Sequence, residues 1–235
     1  MKISVQRSEQ RGKADHGWLH TKHSFSFADY NNPRRVGFGK LKVINEDVIE
    51  AGHGFGMHPH TNMEVITIIL EGSLEHKDSA GNVSGISAGS IQRMSVGSGI
   101  MHSEYNSSKT EPVHLLQIWV EPRQMNIPPN YEQKEIEQER MRNKLLTVLS
   151  GKRMKGALLI NQDAIFRMGK LDAGVKASCE ARQDRGSYVF VISGKVKVGE
   201  ELLETGDAAE ILEAQKITVE ALEESHVLVM EVPME

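Results

Sequence analysis

Two short stretches constrain this chain more than anything else in it: GFGMHPHTNMEV at 54–65 and GSGIMHSEYN at 97–106. His58 and His60 stand two apart in the first, and His102 and Glu104 stand two apart in the second. On a β-strand alternate residues face the same way, and a two-residue step covers roughly 6.5–7 Å, so each pair can lean toward one point. A helix would send such a pair to different faces, because its neighbours lie three or four residues apart. Three imidazoles and a carboxylate arriving as two strand-borne pairs therefore predict a metal site built on β structure. Imidazole with carboxylate suits iron, manganese, nickel, copper or zinc, so the ligand type alone does not name the ion. Glu64 shares the parity of His58 and His60 in an unbroken strand, which leaves both Glu64 and Glu104 open as the carboxylate.

The surrounding pattern is that of short strands. MEVITIILEG reads as a buried strand ending at Gly72, SLEHKDSAGN pairs back across a turn, and ISAGSIQRMS and HLLQIWVEP are further strands. KLKVINEDVIEAG reads as two strands joined by a turn at NED, and FSF at 25–27 as a strand before a DYNNP turn. Strands of this length between glycine-bearing turns predict a sandwich or barrel. PRQMNIPPNYEQ at 122–133 holds three of the seven prolines and reads as a linker. KEIEQERMRNKLL after it fits a charged helix or an edge strand with a turn equally well. The remainder looks like a faded copy of the first half, with Gly72 laid on Gly194 and Gly89 on Gly206. On that alignment His58 and His60 fall on Glu180 and Arg182, His102 has no counterpart, and His226 lies too far along. Two barrels are expected, one with a ligand set and one without.

At 235 residues the chain accommodates one large β domain or two small ones, since domains usually run ~100–200 residues. A net charge of −4 and a pI near 6.2 give no general attraction for nucleic acid. No apolar run approaches the ~18–20 residues of a membrane span, and the N-terminus lacks the apolar core of a secretory signal. Cys179 is the one cysteine, which excludes an intramolecular disulfide and fits a reducing compartment. These features predict a cytoplasmic monomer without direct nucleic-acid or membrane binding.

The first block resembles the first cupin motif, with its His-x-His followed by Glu. The second resembles the second cupin motif, with Gly97 where that motif has proline, then Gly99, His102 and Asn106 in place. Together with HGWLHTKHSFSFADY and HLLQIWVEP, the set is similar to the pirin family of bicupins, densely over 10–132 and through the repeat beyond. The resemblance implies an all-β bicupin with short helices: two jelly-roll (double-stranded β-helix) barrels, a metal-binding cupin domain at 1–125 and a degenerate, metal-free one at 126–235. It implies one mononuclear divalent transition metal, Fe(II) foremost with Mn, Ni, Cu, Co or Zn as alternatives, held by His58, His60, His102 and Glu104. Glu64 would then orient a ligand histidine. It further implies a dioxygenase of the quercetin 2,3-dioxygenase type, cleaving flavonols with dioxygen and releasing carbon monoxide, with Glu104 doubling as general base. Phe55, Met57, Met63, Met94 and Met101 stand around the ligands, where they could line an apolar pocket that accepts a flat polyphenol, although packing in the barrel core is the commoner place for any one of them. His16, His20, His23, His76 and His114 are expected at turns, on the surface or in the core. The alternative implied by the family is a non-enzymatic, iron-binding redox sensor engaging a transcription or metabolic partner, nuclear as well if the source is eukaryotic.

Overall fold

The computed structural model describes residues 1–235, and strands dominate it from end to end. Each half is a large sheet facing a smaller one. In the first half the large sheet runs in the order Asn130–Glu135, Ser90–Ser95, Glu64–Glu71, Val113–Val120, Leu41–Ile49, Leu19–His23, Gly12–Asp15. Its small sheet is Gly54–His60, Ile100–Asn106, Ser73–Asp78, Val83–Ser87. The second half repeats the central order with Ala208–Leu212, Arg185–Ser193, Ser225–Pro233 and Ile165–Leu171, and its small sheet is likewise four-stranded. The turn glycines of the repeat occupy equivalent places, Gly72 and Gly194 at φ +76° and +90°, Gly89 and Gly206 at +82° and +81°. No helix is long and apolar enough to cross a membrane.

The unbroken apolar run VITIIL follows from where its strand sits. Ile66 and Ile68 face the other half, where they join Leu116, Ile118, Tyr188, Phe190, Leu228 and Met230 in one shared core. Val65 and Ile69, of opposite parity, face the interior of the first half. A sheet buried on both sides needs apolar residues at both parities, and each such side chain contributes about 1.5–3 kcal/mol on burial. The second half's interior is wholly aliphatic, built from Val189, Val191, Ala209, Ile217, Val229 and their neighbours. The first half's interior is split into two smaller apolar clusters. A polar belt separates them.

Several local expectations differ from what forms. Leu41–Ile49 is one continuous strand, and no turn occurs at NED. Asn45 and Asp47 have turn-forming side chains, but here they point inward at the polar belt while the ladder continues on both sides. FSF belongs to an irregular segment that carries a bridge between Phe27 and Tyr30, with Ser24 N–H donating to the Ile44 carbonyl and Ser26 N–H to the Arg35 carbonyl. The proline-rich stretch yields the strand Asn130–Glu135, which pairs with Ser90–Ser95 at the edge of the first large sheet. The charged tract after it makes one helical turn, Gln138–Met141. The strand Lys2–Gln6 crosses to the other half and pairs with Ala208–Leu212. The sheets therefore do not divide at 125/126. Pairing across the shared core lets the chain start in one half's sheet and add a strand to the other's edge.

Gly97 has a specific cause. Its φ is +51°, and a Cβ there would run into the Ile127 carbonyl oxygen. Proline, fixed near −65°, cannot take that conformation, so glycine stands where the cupin pattern has proline.

Candidate metal centre

The site forms on the small sheet of the first half. Gly54–His60 pairs antiparallel with Ile100–Asn106, and the register sets His58 opposite His102 and His60 opposite Ile100. The ring centroids of His58, His60 and His102 lie 4.4–4.9 Å from one another. A bulge between His102 and Glu104 shifts the pairing, and on its other side Glu104 stands opposite His76 of Ser73–Asp78. Ligand-capable atoms of His58, His60 and His102 fall within 4.8 Å of one another, and so do those of His76, His102 and Glu104. The structure thus gathers all four expected residues around His102. Glu104 lies on the His76 side, and His58 and His60 on the other.

Hydrogen bonding aims these groups. His58 Nδ1–H donates to the Gly56 carbonyl at 2.7 Å, which leaves Nε2 bare. Neither ring nitrogen of His102 has a partner, although both are buried. Burial first, then the neighbouring rings, pushes the His102 pKa down to about 3 and the His60 pKa down to about 4. Neutral, unpartnered imidazoles beside a carboxylate are a donor set for a divalent cation, and that ion would supply what no protein group does.

Glu104 is 2% exposed, and the polar belt holds it. Gln92 Nε2–H donates to one oxygen at 2.7 Å, with the Thr67 hydroxyl at 3.4 Å, and Gln117 Nε2–H donates to the other at 2.8 Å. Gln92, Thr67, Gln117, Asn45 and His23 stand level across five neighbouring strands. In the second half the equivalent row reads Ala209, Val189, Val229. That half has neither the ligands nor the amides that would hold them. Burial raises the Glu104 pKa, with the nearby His76 opposing it.

Glu64 is not part of the centre. Its carboxylate accepts from Ser95 Oγ at 2.8 Å and from the Asn161 backbone N–H of the second half at 3.2 Å. The parity argument fails because the chain changes sheets between His60 and Glu64, turning through Asn62 at φ +48°. His76, expected at the surface or in the core, is buried against the centre, and its Nε2–H donates to Asp78 at 3.1 Å.

A cavity of about 680 Å³ opens onto His58, His60 and Glu104. Its apolar walls are Trp18, Phe27, Phe55 and Trp119, with Trp119 edge-on to His60 at 4.9 Å and to Phe27 at 5.4 Å. Of the residues expected to line it, only Phe55 does. Met57 is 53% exposed and Met101 39%, while Met94 is fully buried in an apolar cluster with Met63 packed against it. His16 and His23 do line it. The other aromatic walls come from the N-terminal segment (Trp18 and Phe27) and from HLLQIWV (Trp119), where spacing within a strand gave no hint of them.

The sign of the pH response follows from the depressed histidines. Unfolded imidazoles take protons near 6.5, whereas His60 and His102 in the fold do so only near 4 and 3. Between those values the unfolded chain binds more protons, so acid favours unfolding. The buried carboxylates Asp47, Glu64 and Glu104 have raised pKa values and act in the opposite sense, so the histidine contribution is read as a difference. Between pH 6.5 and 4 the melting temperature of metal-free protein is expected to fall less, or rise more, in His102→Ala than in the wild type. Identical slopes contradict the assignment.

An all-β pair of facing-sheet domains, one carrying a histidine centre, is the architecture of a two-domain cupin. The Pirin family model matches residues 4–120, and the model of the quercetinase C-terminal cupin domain matches 147–232. The chain belongs to the pirin family. A quercetin 2,3-dioxygenase of Escherichia coli K12 is 42% identical over 231 residues, covering 98% of this chain and 99% of the relative. The bacterial pirin YhhW of Escherichia coli in complex with nickel(II) superposes with a TM-score of 0.94 at 40% identity, covering 99% of both chains. YhaK of the same organism gives a TM-score of 0.77 at 28% identity, covering 94% of this chain and 98% of that one.

Proposed function

We propose that the chain is a metal-dependent dioxygenase of the quercetin 2,3-dioxygenase type. One flavonol and one dioxygen would give one depside and one carbon monoxide, with two carbon–carbon bonds of the central ring broken. His58, His60, His102 and Glu104 are the residues assigned to hold one divalent metal, Fe(II) foremost. The observation that carries this reading is the histidine cluster around the unpartnered His102, whose members His58 and His60 open with Glu104 onto a cavity walled by flat aromatic rings. The names of the full-length relatives support the substrate class.

Bound there, a divalent metal would act as a Lewis acid and lower the pKa of the flavonol 3-hydroxyl. Glu104 accepts the proton released, its carboxyl lining the cavity beside His58 and His60. The amides of Gln92 and Gln117 keep its carboxyl group in place. Trp18, Phe27, Phe55 and Trp119 offer ring faces and edges for the substrate to pack on and exclude water from the reacting carbons.

The test is turnover. Protein loaded anaerobically with iron(II), mixed with quercetin and then opened to air, is expected to bleach the flavonol absorbance and evolve one carbon monoxide per flavonol. Persistence of the absorbance with iron, manganese, nickel, cobalt, copper and zinc in turn would sink the reading.

A further inference from the structure

The cavity contains a second carboxylate that the reaction above does not use. Asp47 sits on Leu41–Ile49, lines the cavity and is 3% exposed. Its situation differs from that of every other buried carboxylate near the centre. Glu104 receives two amide donors. Asp78 receives the Ala80 and Asn82 backbone N–H groups and the Asn82 side chain, at 2.8–3.0 Å. Glu64 receives Ser95 and Asn161. Asp47 receives no amide, no backbone N–H and no cation. Arg11 acts on it by charge but donates elsewhere, to Glu46 at 2.6 Å and to the Lys22 carbonyl at 2.9 Å. The Thr21 hydroxyl, opposite it in the strand register, is the group that moderates it, and Glu104 adds like charge. Burial pushes its pKa up to about 6.

A buried carboxylate short of donors costs stability unless something supplies them. The open side of Asp47 is the cavity, so the donor it lacks has to come from what the cavity holds. Resting on the flavonol reading, we propose that Asp47 receives a ring hydroxyl other than the 3-hydroxyl, so that the site selects polyhydroxylated flat aromatics over sparsely hydroxylated ones. Quercetin carries such hydroxyls on both outer rings; 3-hydroxyflavone carries none. The aromatic walls bind either molecule, and Asp47 discriminates between them.

Both tryptophans of the chain, Trp18 and Trp119, line the cavity, so quenching of intrinsic fluorescence reads its occupancy. Nickel(II)-loaded protein under argon is titrated with quercetin and with 3-hydroxyflavone, so that no turnover intervenes. A hydrogen bond to a charged acceptor corresponds to about tenfold or more in affinity, and the wild type is expected to prefer quercetin by that factor. Asp47→Asn is expected to cut quercetin affinity about tenfold and leave 3-hydroxyflavone within about twofold. Equal affinity of the wild type for both ligands overturns the proposal, and that comparison stands even if the variant fails to fold. Equal weakening of both ligands by Asp47→Asn overturns it too. Absence of quenching of the wild type by both flavonols removes the flavonol reading itself, a result distinct from binding without discrimination.

Discussion

His102→Ala is expected to abolish stoichiometric metal binding while the fold survives. His102 belongs to both ligand-capable sets, the one with His58 and His60 and the one with His76 and Glu104. Its loss leaves neither with three members. Removing an outer partner of a metal ligand typically costs about 10–100-fold in affinity, so removing the residue at the junction should cost more. Because both ring nitrogens are buried without partners, the substitution removes two desolvated polar atoms and orphans none in metal-free protein. Metal content by elemental analysis and the melting temperature are the two readouts. His226→Ala serves as control, since that ring lies on a strand of the second half. One equivalent of metal retained by His102→Ala would mean that the centre lies elsewhere.

Glu104→Ala and Glu64→Ala should fail in different ways. Glu104→Ala removes a candidate ligand and proton acceptor, and it strands the amides of Gln92 and Gln117 in a buried belt. Metal retention should fall and turnover should vanish. Glu64→Ala removes the acceptor for Ser95 and for the Asn161 backbone, a link between the halves. Stability should fall by about 1–3 kcal/mol, with metal content unchanged. The reverse pattern, metal lost on Glu64→Ala and kept on Glu104→Ala, would reassign the carboxylate.

The clustering of His58, His60 and His102 was legible because the spacing of two in HPH and HSE puts side chains on one face only in a strand, and the register then does the rest. The repeat was legible because its turn glycines adopt positive φ, which few other residues tolerate. The belt was not read, although a signal existed. Gln92, Thr67 and Gln117 are polar at inward positions of otherwise apolar strands. Within the repeat, the first two meet Ala209 and Val189 at the same steps from the aligned glycines. Asn45 and Asp47 were hidden by their own turn propensity, which strand pairing on both sides overrides. The cavity walls were not legible because they depend on where the irregular segment 24–30 lies against another sheet. His76 was invisible as well: it meets Glu104 only through pairing between strands far apart in sequence.

The crossing of Lys2–Gln6 to the far sheet has a consequence for how the chain is made. This segment is synthesised about 200 residues before its partner Ala208–Leu212. At about 5–20 residues per second, roughly 200 residues of synthesis keep it waiting for about 10–40 s. The strands of the histidine-bearing half span residues 12–135 and need nothing from that late partner. The strand pairing of the histidine-bearing half can therefore form on the nascent chain, while the face it shares with the second half stays uncovered, and Lys2–Gln6 unpaired, until the later strands follow.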